Sequence, residues 1–350
     1  MTSLAWNLSD PRETGLKATV AALAGAEVAA FDPVDGGGNN RVYGVEFSDG
    51  RKVAAKCYPS QEEDPRDRLG VEFGGLSFLA QQGVDSALPQ PLAADHKAGV
   101  ALYEWIEGEA VSAVDPKARQ PGDVEQALEL LAKLHEVRLT PGARALPPGS
   151  DPCFSGADLA AGISGRRARL GEVAQDNDSL QAFLSGKFDL ALEEAAQRAA
   201  REYEAASMDF DAPIAERERT LSPSDFGFHN ARRRGDGSLV FLDFEYFGWD
   251  DPVKMTADIL IHPGMVLSVE EEAEFRKGLA EINREDQDYE KRLSALWPLF
   301  GLRWCLILLN EFLPERWFRR AYANGERDRE TAQVLQLDKS EAMLHRVMTR

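Results

Sequence analysis

The spacing of hydrophobic and polar positions changes from one part of the chain to the next. Residues 15–30 form a run rich in Ala and Leu that predicts a helix. From residue 26 to 58, short apolar runs are broken by Gly, Asn-Asn and Asp-Gly. This pattern is typical of antiparallel strands joined by tight turns, and residues 48–50 (Ser-Asp-Gly) give its clearest hairpin signal.

The next segments continue this mixed pattern. A helix is predicted over about 65–82, where apolar residues recur at helical spacing, and strands are predicted at about 91–95 and 99–106. The apolar positions of that helix are Leu69, Phe73, Leu76 and Ala80.

Past Gly108 helical periods dominate. A Pro- and Gly-rich loop covers 140–155, and a strand-turn-strand segment covers 219–248. Helices are predicted over 124–139, 179–206, 268–283, 288–312 and 328–348. The pattern therefore predicts an α+β protein with a small antiparallel β lobe, residues 1–107, and a larger, mainly helical lobe, residues 108–350.

The charge of the chain limits the classes of binding partner. The 350 residues carry a formal charge of -19, which argues against nucleic-acid binding because phosphate backbones require clustered Lys and Arg. The charge favours a cationic or amino-bearing small-molecule partner, although an acidic surface that maintains solubility is the simpler interpretation.

A reducing, cytoplasmic location is expected. Three scattered cysteines form no CxxC pair, and the start of the chain has no basic segment followed by an apolar one. The longest apolar run, residues 295–309, contains Arg303 and predicts a buried core helix with no membrane partner.

Three polar residues in the strand-turn-strand segment are candidates for catalysis and metal binding. Asn230 follows Asp225 by five positions, and Asp243 follows Asn230 by thirteen, at the end of an apolar strand. A loop followed by a hairpin brings all three towards one point. Phosphoryl transfer from a Mg-nucleotide requires such a set: one carboxylate for the acceptor hydroxyl, and an amide oxygen and a second carboxylate for Mg²⁺.

The letters Asp-Phe-Gly at 225–227 imitate the metal-binding triplet of protein kinases. If Asp225 held the metal, an Asn should lie about 13 residues upstream and an Asp about 18 residues upstream. Those positions are Ala212 and Ser207. Asp243 is therefore the predicted metal ligand with Asn230, and Asp225 is the predicted catalytic base.

These residues resemble the aminoglycoside phosphotransferase and choline-kinase-like family of small-molecule kinases. Asp225 and Asn230 match the family's H-G-D-x-x-x-x-N loop, "LDFE" (242–245) its strand end and "GWDDP" (248–252) its closing segment. The resemblance implies a bilobal protein-kinase-like fold, and Asp258 falls where the family often has an Asp. Pro223 and Ser224 replace the loop His and Gly, which puts the loop geometry in doubt.

The N-terminal half agrees with the resemblance. Lys56 lies in an apolar strand and Glu72 on the following helix, and a buried lysine requires such a partner. In the resembled family this pair aligns the ATP phosphates. Gly36, Gly37, Gly38 and Asn39 lie where a phosphate-covering turn belongs, although a plain hairpin turn explains them nearly as well.

Several other residues are candidates for roles at or near this site. The resemblance places the Glu104 carbonyl and the Ile106 N–H beside adenine. His229 is interpreted as structural or close to the substrate. The remaining histidines lack metal-ligand spacing, so a zinc hydrolase is not indicated. Residues 231–234 (Ala-Arg-Arg-Arg) are most simply a solvated turn, and Glu311 in a core helix is an alternative substrate contact.

Two functions remain open at this point. One is an ATP- and Mg²⁺-dependent kinase acting on a hydroxyl of an amino alcohol, sugar or aminoglycoside-like acceptor, with GTP as an alternative donor. The other is a kinase-like nucleotide-binding or regulatory module without turnover.

Overall fold

The computed structural model describes residues 11–34, 40–60, 64–317 and 328–349, with side chains from residue 15 onward. Its first part is an antiparallel sheet in the order β1-β2-β3-β5-β4. The strands are β1 (Val28–Pro33), β2 (Arg41–Phe47), β3 (Lys52–Cys57), β4 (Pro91–Asp95) and β5 (Val100–Glu104). The predicted hairpin at residues 48–50 is confirmed, because the Gly50 N–H donates to the Phe47 carbonyl at 2.9 Å and Gly50 has φ +84°.

The first helix is shorter than predicted. Helix α1 (Pro11–Ala24) ends before Gly25, whose φ of +63° takes the backbone out of the helix, and β1 begins at Val28. The Ala-rich composition predicted helix up to residue 30. Pairing of Val28 with Phe47 and of Phe31 with Val45 prevails over that local propensity.

Helix α2 (Arg68–Gln81) lies close to the strand-turn-strand segment of the second lobe. Asp67 caps it by accepting the Gly70 N–H at 2.9 Å, and Leu76 and Leu79 are buried. Gly75 permits a close approach, since a Cβ there would lie 2.5 Å from the Phe247 ring. The helix that carries Glu72 is therefore packed directly against the segment that carries Asp243.

The second lobe is mainly helical, as predicted. Its helices are α3 (Asp123–Val137), α4 (Gly156–Ala174), α5 (Asp178–Phe183), α6 (Asp189–Ala205), α7 (Pro252–Ile261), α8 (Val269–Ile282), α9 (Tyr289–Leu308) and α10 (Arg329–Met348). A π-helical turn, Leu184–Phe188, joins α5 to α6. The sequence pattern missed α4 and α7.

Helix α9 and the turn after it, Tyr289–Phe312, form one helix long and apolar enough to cross a membrane. However, 72% of its apolar window is buried inside the protein, where it packs on α4, α6, α7 and α10. This agrees with its interpretation as a core helix.

Short strands position the polar segment. Strands β7 (Thr220–Ser222) and β10 (Gly248–Asp250) pair with each other. Strands β6 (Glu109–Ala110), β8 (Ala231–Arg233) and β9 (Leu239–Phe241) form a three-stranded sheet. The β8–β9 hairpin pairs Ala231 with Phe241. It therefore brings the residue before β8, Asn230, level with the residues after β9.

The buried hydrophobic residues within the described ranges form two cores. The smaller one, which includes Val20, Phe31 and Val45, lies between α1 and the sheet. The larger one runs from α2 through the helical lobe without interruption. The predicted lobe division at residues 107 and 108 falls between β5 and β6, and it stays a prediction because the larger core spans both sides.

Candidate active site

Lys56, Glu72 and Asp243 meet between the sheet and the second lobe. The Lys56 Nζ lies 2.6 Å from Glu72 Oε2 and 2.5 Å from Asp243 Oδ1. Burial opposes the ammonium charge, but attraction to Asp243 and Glu72 outweighs it and raises the pKa of Lys56 well above its ordinary value. The predicted Lys56–Glu72 pair is present, with Asp243 as a third member.

Glu72 is held from two further directions. Its Oε2 accepts the Tyr58 hydroxyl at 2.7 Å, and its Oε1 accepts the Phe244 N–H at 3.1 Å. The second bond ties α2 to the backbone just after Asp243. The buried carboxylate of Glu72 therefore couples the position of Lys56 to the position of Asp243.

Asn230 pairs with Leu242, the residue before Asp243, at the end of the β8–β9 hairpin. The Leu242 N–H donates to the Asn230 carbonyl at 2.8 Å, and the Asn230 side-chain amide donates to the Asp225 carbonyl at 2.9 Å. The amide oxygen of Asn230 is thus the atom left for a ligand. Asp243 has φ +69°, a left-handed conformation that is uncommon outside glycine.

Burial raises the pKa of the Asp243 carboxyl to about 6; Lys56 lowers it, and the nearby Glu245 and Glu72 carboxylates raise it further. Its side chain remains 32% exposed. Because the Glu245 and Glu72 carboxylates repel the Asp243 carboxylate, a neighbouring cation stabilises the ionised form of Asp243.

Glu245 is a buried carboxylate that the sequence analysis did not assign. It accepts the Asn40 side-chain amide at 2.5 Å and the Arg68 Nη1 at 2.8 Å. Its carboxylate, with those of Glu72 and Asp243, forms a group whose oxygens lie within 4.8 Å of one another. Glu245 therefore links Asn40, the residue before β2, to the strand end "LDFE".

Ser224, in the loop before Asn230, has a backbone conformation that favours glycine. Ser224 has φ +65°, and its hydroxyl donates to the Tyr246 carbonyl at 3.0 Å. A left-handed residue at this position explains why Gly stands there in the resembled family. The Ser hydroxyl bond to Tyr246 holds this conformation here.

Two histidines hold the carboxylate of Asp225. The Nε2 atoms of His229 and His262 lie 3.0 and 3.1 Å from the same oxygen, Asp225 Oδ1. Their rings stack at 4.2 Å, and Trp304 packs edge-on against His262 at 4.7 Å. The Gly264 N–H donates to His262 Nδ1 at 3.1 Å, so His262 is the tautomer with its proton on Nε2.

These contacts set the charge of Asp225. Burial alone would raise its pKa, but the hydrogen bonds from His229 and His262 outweigh burial and hold the pKa well below its usual range. The second oxygen, Oδ2, remains for another partner. The interpretation of His229 as structural or close to the substrate stays a prediction. His262, which lies far from the loop in the chain, was not predicted to contact Asp225.

The segment that links the lobes is pinned by arginines of β8 and the turn after it. Arg234 lies 2.8 Å from Glu104, Arg232 donates to the Gly108 carbonyl, and Arg233 binds Asp123 at 2.6 Å. The interpretation of residues 231–234 as a solvated turn is therefore wrong.

Ile106 is buried, and Glu104 ends β5. The predicted phosphate-covering residues Gly36, Gly37, Gly38 and Asn39 lie outside the described residues.

The sequence matches the family model described as "Phosphotransferase enzyme family" (APH) over residues 31–295. The chain belongs to the phosphotransferase enzyme family. A search of curated proteins finds no significant match.

Solved structures support the same fold. Choline kinase LicA from Streptococcus pneumoniae has a TM-score of 0.59 at 15% identity, covering 96% of this chain and 100% of that one. Spectinomycin phosphotransferase APH(9)-Ia, in complex with ADP and spectinomycin, has a TM-score of 0.60 at 13% identity, covering 94% and 98%. Amicoumacin kinase, in complex with AMP-PNP and Ca²⁺, has a TM-score of 0.57 at 13% identity, covering 95% and 93%. The predicted α+β, kinase-like fold is confirmed.

A cavity of about 420 Å³ opens beside Asp225 in this phosphotransferase. Glu311, the alternative substrate contact, is buried and is not part of the cavity wall, whereas its neighbour Asn310 is. The charged residues of the wall are Arg66, Asp151, Arg166, Asp225, Lys254, Asp258, Arg303, Arg316 and Lys339. Among the wall residues that the structure describes, Lys and Arg outnumber Asp.

Proposed function

We propose that this phosphotransferase transfers the γ-phosphoryl group of Mg-ATP to a hydroxyl of a small molecule. One observation carries the proposal: Asp225, Asn230 and Asp243 converge through one loop and one hairpin, with Asp225 on the cavity and Asp243 on Lys56. This is the arrangement that phosphoryl transfer requires, since the chemistry depends on positioning and charge.

Lys56 and its partners form the nucleotide side of the proposed site. The Lys56 ammonium binds the α- and β-phosphates, and Glu72 keeps it in place. The Glu104 carbonyl and the Ile106 N–H receive the adenine edge, with Gly37, Gly38 and Asn39 over the phosphates. The relatives solved with ADP and with AMP-PNP support a nucleotide on this side, and GTP is the alternative donor.

Asn230 and Asp243 are the proposed metal ligands. An amide oxygen and a carboxylate are the hard oxygen donors that Mg²⁺ prefers, and the crowded carboxylates Glu72 and Glu245 beside Asp243 fit a cation. When bound, Mg²⁺ supplies positive charge to the phosphate oxygens. Replacement of Asp243 should therefore weaken Mg²⁺ binding and remove the positive charge that Mg²⁺ supplies.

Asp225 acts on the acceptor. Its carboxylate is ionised at neutral pH, and His229 and His262 occupy Oδ1, so Oδ2 accepts the proton of the acceptor hydroxyl. The hydroxyl oxygen forms a bond to the γ-phosphorus as the bond from that phosphorus to the β–γ bridging oxygen breaks. ADP leaves with the electron pair of the broken bond.

The test is incubation with ATP, Mg²⁺ and a pool of hydroxylated metabolites, with mass spectrometry for a product that has gained one phosphoryl group. The proposal expects such a product and an equal amount of ADP. Tight Mg-ATP binding with no product from any pool would instead support the non-catalytic nucleotide-binding module.

A further inference from the structure

Arg119 is a buried arginine in the segment between β6 and α3, and its side chain is only 1% exposed. Its Nε and Nη2 atoms donate to the two carboxylate oxygens of Glu271, in the first turn of α8, at 2.7 and 2.6 Å. Paired bonds of this kind hold a guanidinium group in one orientation. The pair with Glu271 therefore fixes the direction of the other N–H donors of Arg119.

The same guanidinium joins two loops. Its Nη1 donates to the Ser112 carbonyl at 2.7 Å, and its Nη2 donates to the Val266 carbonyl at 2.6 Å. Val266 lies in the loop between α7 and α8, and its own N–H donates to the Ala113 carbonyl at 2.8 Å. The N–H and the carbonyl of Val266 are therefore both held by the segment that contains Arg119.

The α7–α8 loop also contacts the residues around Asp225. It carries His262, which binds Asp225, and Met265, whose N–H donates to the His262 carbonyl at 3.1 Å. Met265 is buried against Gly227, where a Cβ would lie 2.8 Å from the Met265 Sδ. A displacement of the α7–α8 loop would therefore reach the groups that hold Asp225.

Arg119 is also in direct contact with the loop of residues 225–230, the Asp225 loop. Its guanidinium carbon lies 4.9 Å from the centre of the Phe228 ring, which is three residues after Asp225. Phe228 is buried, and its ring centroid lies 6.1 Å from that of Phe275 on α8. A cation over an aromatic face is attracted to the ring, more strongly where both groups are desolvated. One guanidinium thus holds both the Asp225 loop and the α7–α8 loop.

Pro223 explains why such a contact matters in this chain. It stands where the resembled family has a histidine, and a proline side chain donates no hydrogen bond. Its carbonyl accepts the Asp225 N–H at 2.9 Å, so this position supports the loop through its backbone. A histidine could in addition donate from its ring. Arg119 supplies side-chain donors and a cation from a different part of the chain.

We propose that Arg119 is a positioning residue for Asp225, which replaces the support of the loop histidine by holding Phe228 and the α7–α8 loop together. The role deepens the proposed function and rests on it, because Asp225 is the group that receives the acceptor hydroxyl. The effect of Arg119 on Asp225 passes through Phe228 and through His262. Correct placement of a base affects the rate of proton transfer more than it affects nucleotide binding.

Kinetics of Arg119→Lys, Phe228→Leu and the double variant test the positioning role. Lysine keeps the charge beside Glu271 but lacks the planar fork of donors, and leucine keeps an apolar side chain without the ring face. Each single substitution should lower kcat about tenfold, while the KM for ATP changes little. Because both substitutions weaken one contact, the loss in the double variant should be smaller than the product of the two single losses.

Proton NMR provides a measurement that does not depend on turnover. The Nε2 proton of His262 is bound to the Asp225 carboxylate, so it should give a downfield imidazole signal, assigned by its disappearance in His262→Ala. In Arg119→Lys this signal should move upfield or broaden. A purely structural role would lower the melting temperature and leave the signal of the folded protein in place. If Arg119→Lys does not fold, Phe228→Leu carries the same two measurements.

The matched control is Arg284→Lys, the same substitution at an exposed arginine paired with Glu281, and it should match the wild type in kcat and in the His262 signal. An unmoved His262 signal, a wild-type kcat in Arg119→Lys, or single losses that multiply in the double variant would each overturn the inference. Absence of phosphoryl transfer to any acceptor would refute the proposed function alone, because a displaced His262 signal would still show that Arg119 positions Asp225.

Discussion

The Nε2 atom of His262 lies 3.1 Å from Asp225 Oδ1, although His262 follows α7 and Asp225 lies in the loop after β7. Its Nδ1 accepts the Gly264 N–H, which fixes the donor role of Nε2. With His229 on the same oxygen, it provides imidazole contacts near a loop that has Pro223 in place of the family's histidine. We interpret both as positioning residues for Asp225.

Substitution of His262 tests this positioning. His262→Ala removes one hydrogen bond to a charged carboxylate, which should lower kcat about tenfold while the KM for ATP changes little. It should also raise the pKa of Asp225, because the bond favours the ionised form. Since Asp225 must be ionised to accept a proton, the acid side of the kcat profile should move to higher pH.

A merely structural role for His262 would lower activity equally at every pH. An unshifted acid limb in His262→Ala, with an unchanged melting temperature, would therefore count against the positioning role. His96→Ala, a surface histidine, serves as the control and should leave the profile unchanged.

Asp243→Asn tests the metal site. Asn keeps the size of Asp and tolerates the left-handed backbone at this position, so the fold should remain while the carboxylate charge is lost. Mg²⁺ should then no longer strengthen ATP binding, and turnover should fall about 100-fold or more. Calorimetric ATP titrations with and without Mg²⁺ measure the difference. Undiminished Mg-ATP affinity and rate would show that Asp243 is not a metal ligand; Asp236→Asn, in an exposed turn, is the control.

Lys254 tests the buried ion cluster under the cavity. Lys254→Met leaves Asp250 and Asp258 buried with one cation fewer, which should lower the free energy of unfolding by about 3 kcal/mol or more. Lys291→Met, an exposed lysine paired with Asp288, should change it by no more than about 0.5 kcal/mol. Urea unfolding of the two variants makes the comparison, and equal stabilities would contradict the structural role of the cluster.

Local patterns were sufficient for most of the fold and for part of the site. Spacing placed Asp225, Asn230 and Asp243 in order because a loop and a tight hairpin join them, and hairpin pairing is set by nearby residues. Lys56 and Glu72 were predicted from the high cost of an unpaired buried lysine. The literal Asp-Phe-Gly at 225–227 was set aside on distance alone, and the structure places Asp243 beside Lys56.

Long-range contacts were beyond sequence reasoning. His262 and Arg166 carry no local signal of where they lie, because α7 and α4 reach the site through packing in the second lobe. The charge of the acceptor stays a prediction, because the net charge of -19 averages over the whole chain, whereas a ligand meets only the cavity wall. Helix α1 was overextended because pairing of β1 with β2 outweighed local helix propensity.

The most direct test of the account follows transfer of labelled γ-phosphate from ATP to acceptor in the wild type and in Asp225→Asn, together with the Kd of Mg-ATP for both. We expect labelled product from the wild type and at least about 100-fold slower transfer in Asp225→Asn, with an unchanged Kd, because the base is lost and the nucleotide side is intact. Equal transfer rates in the two proteins would contradict it.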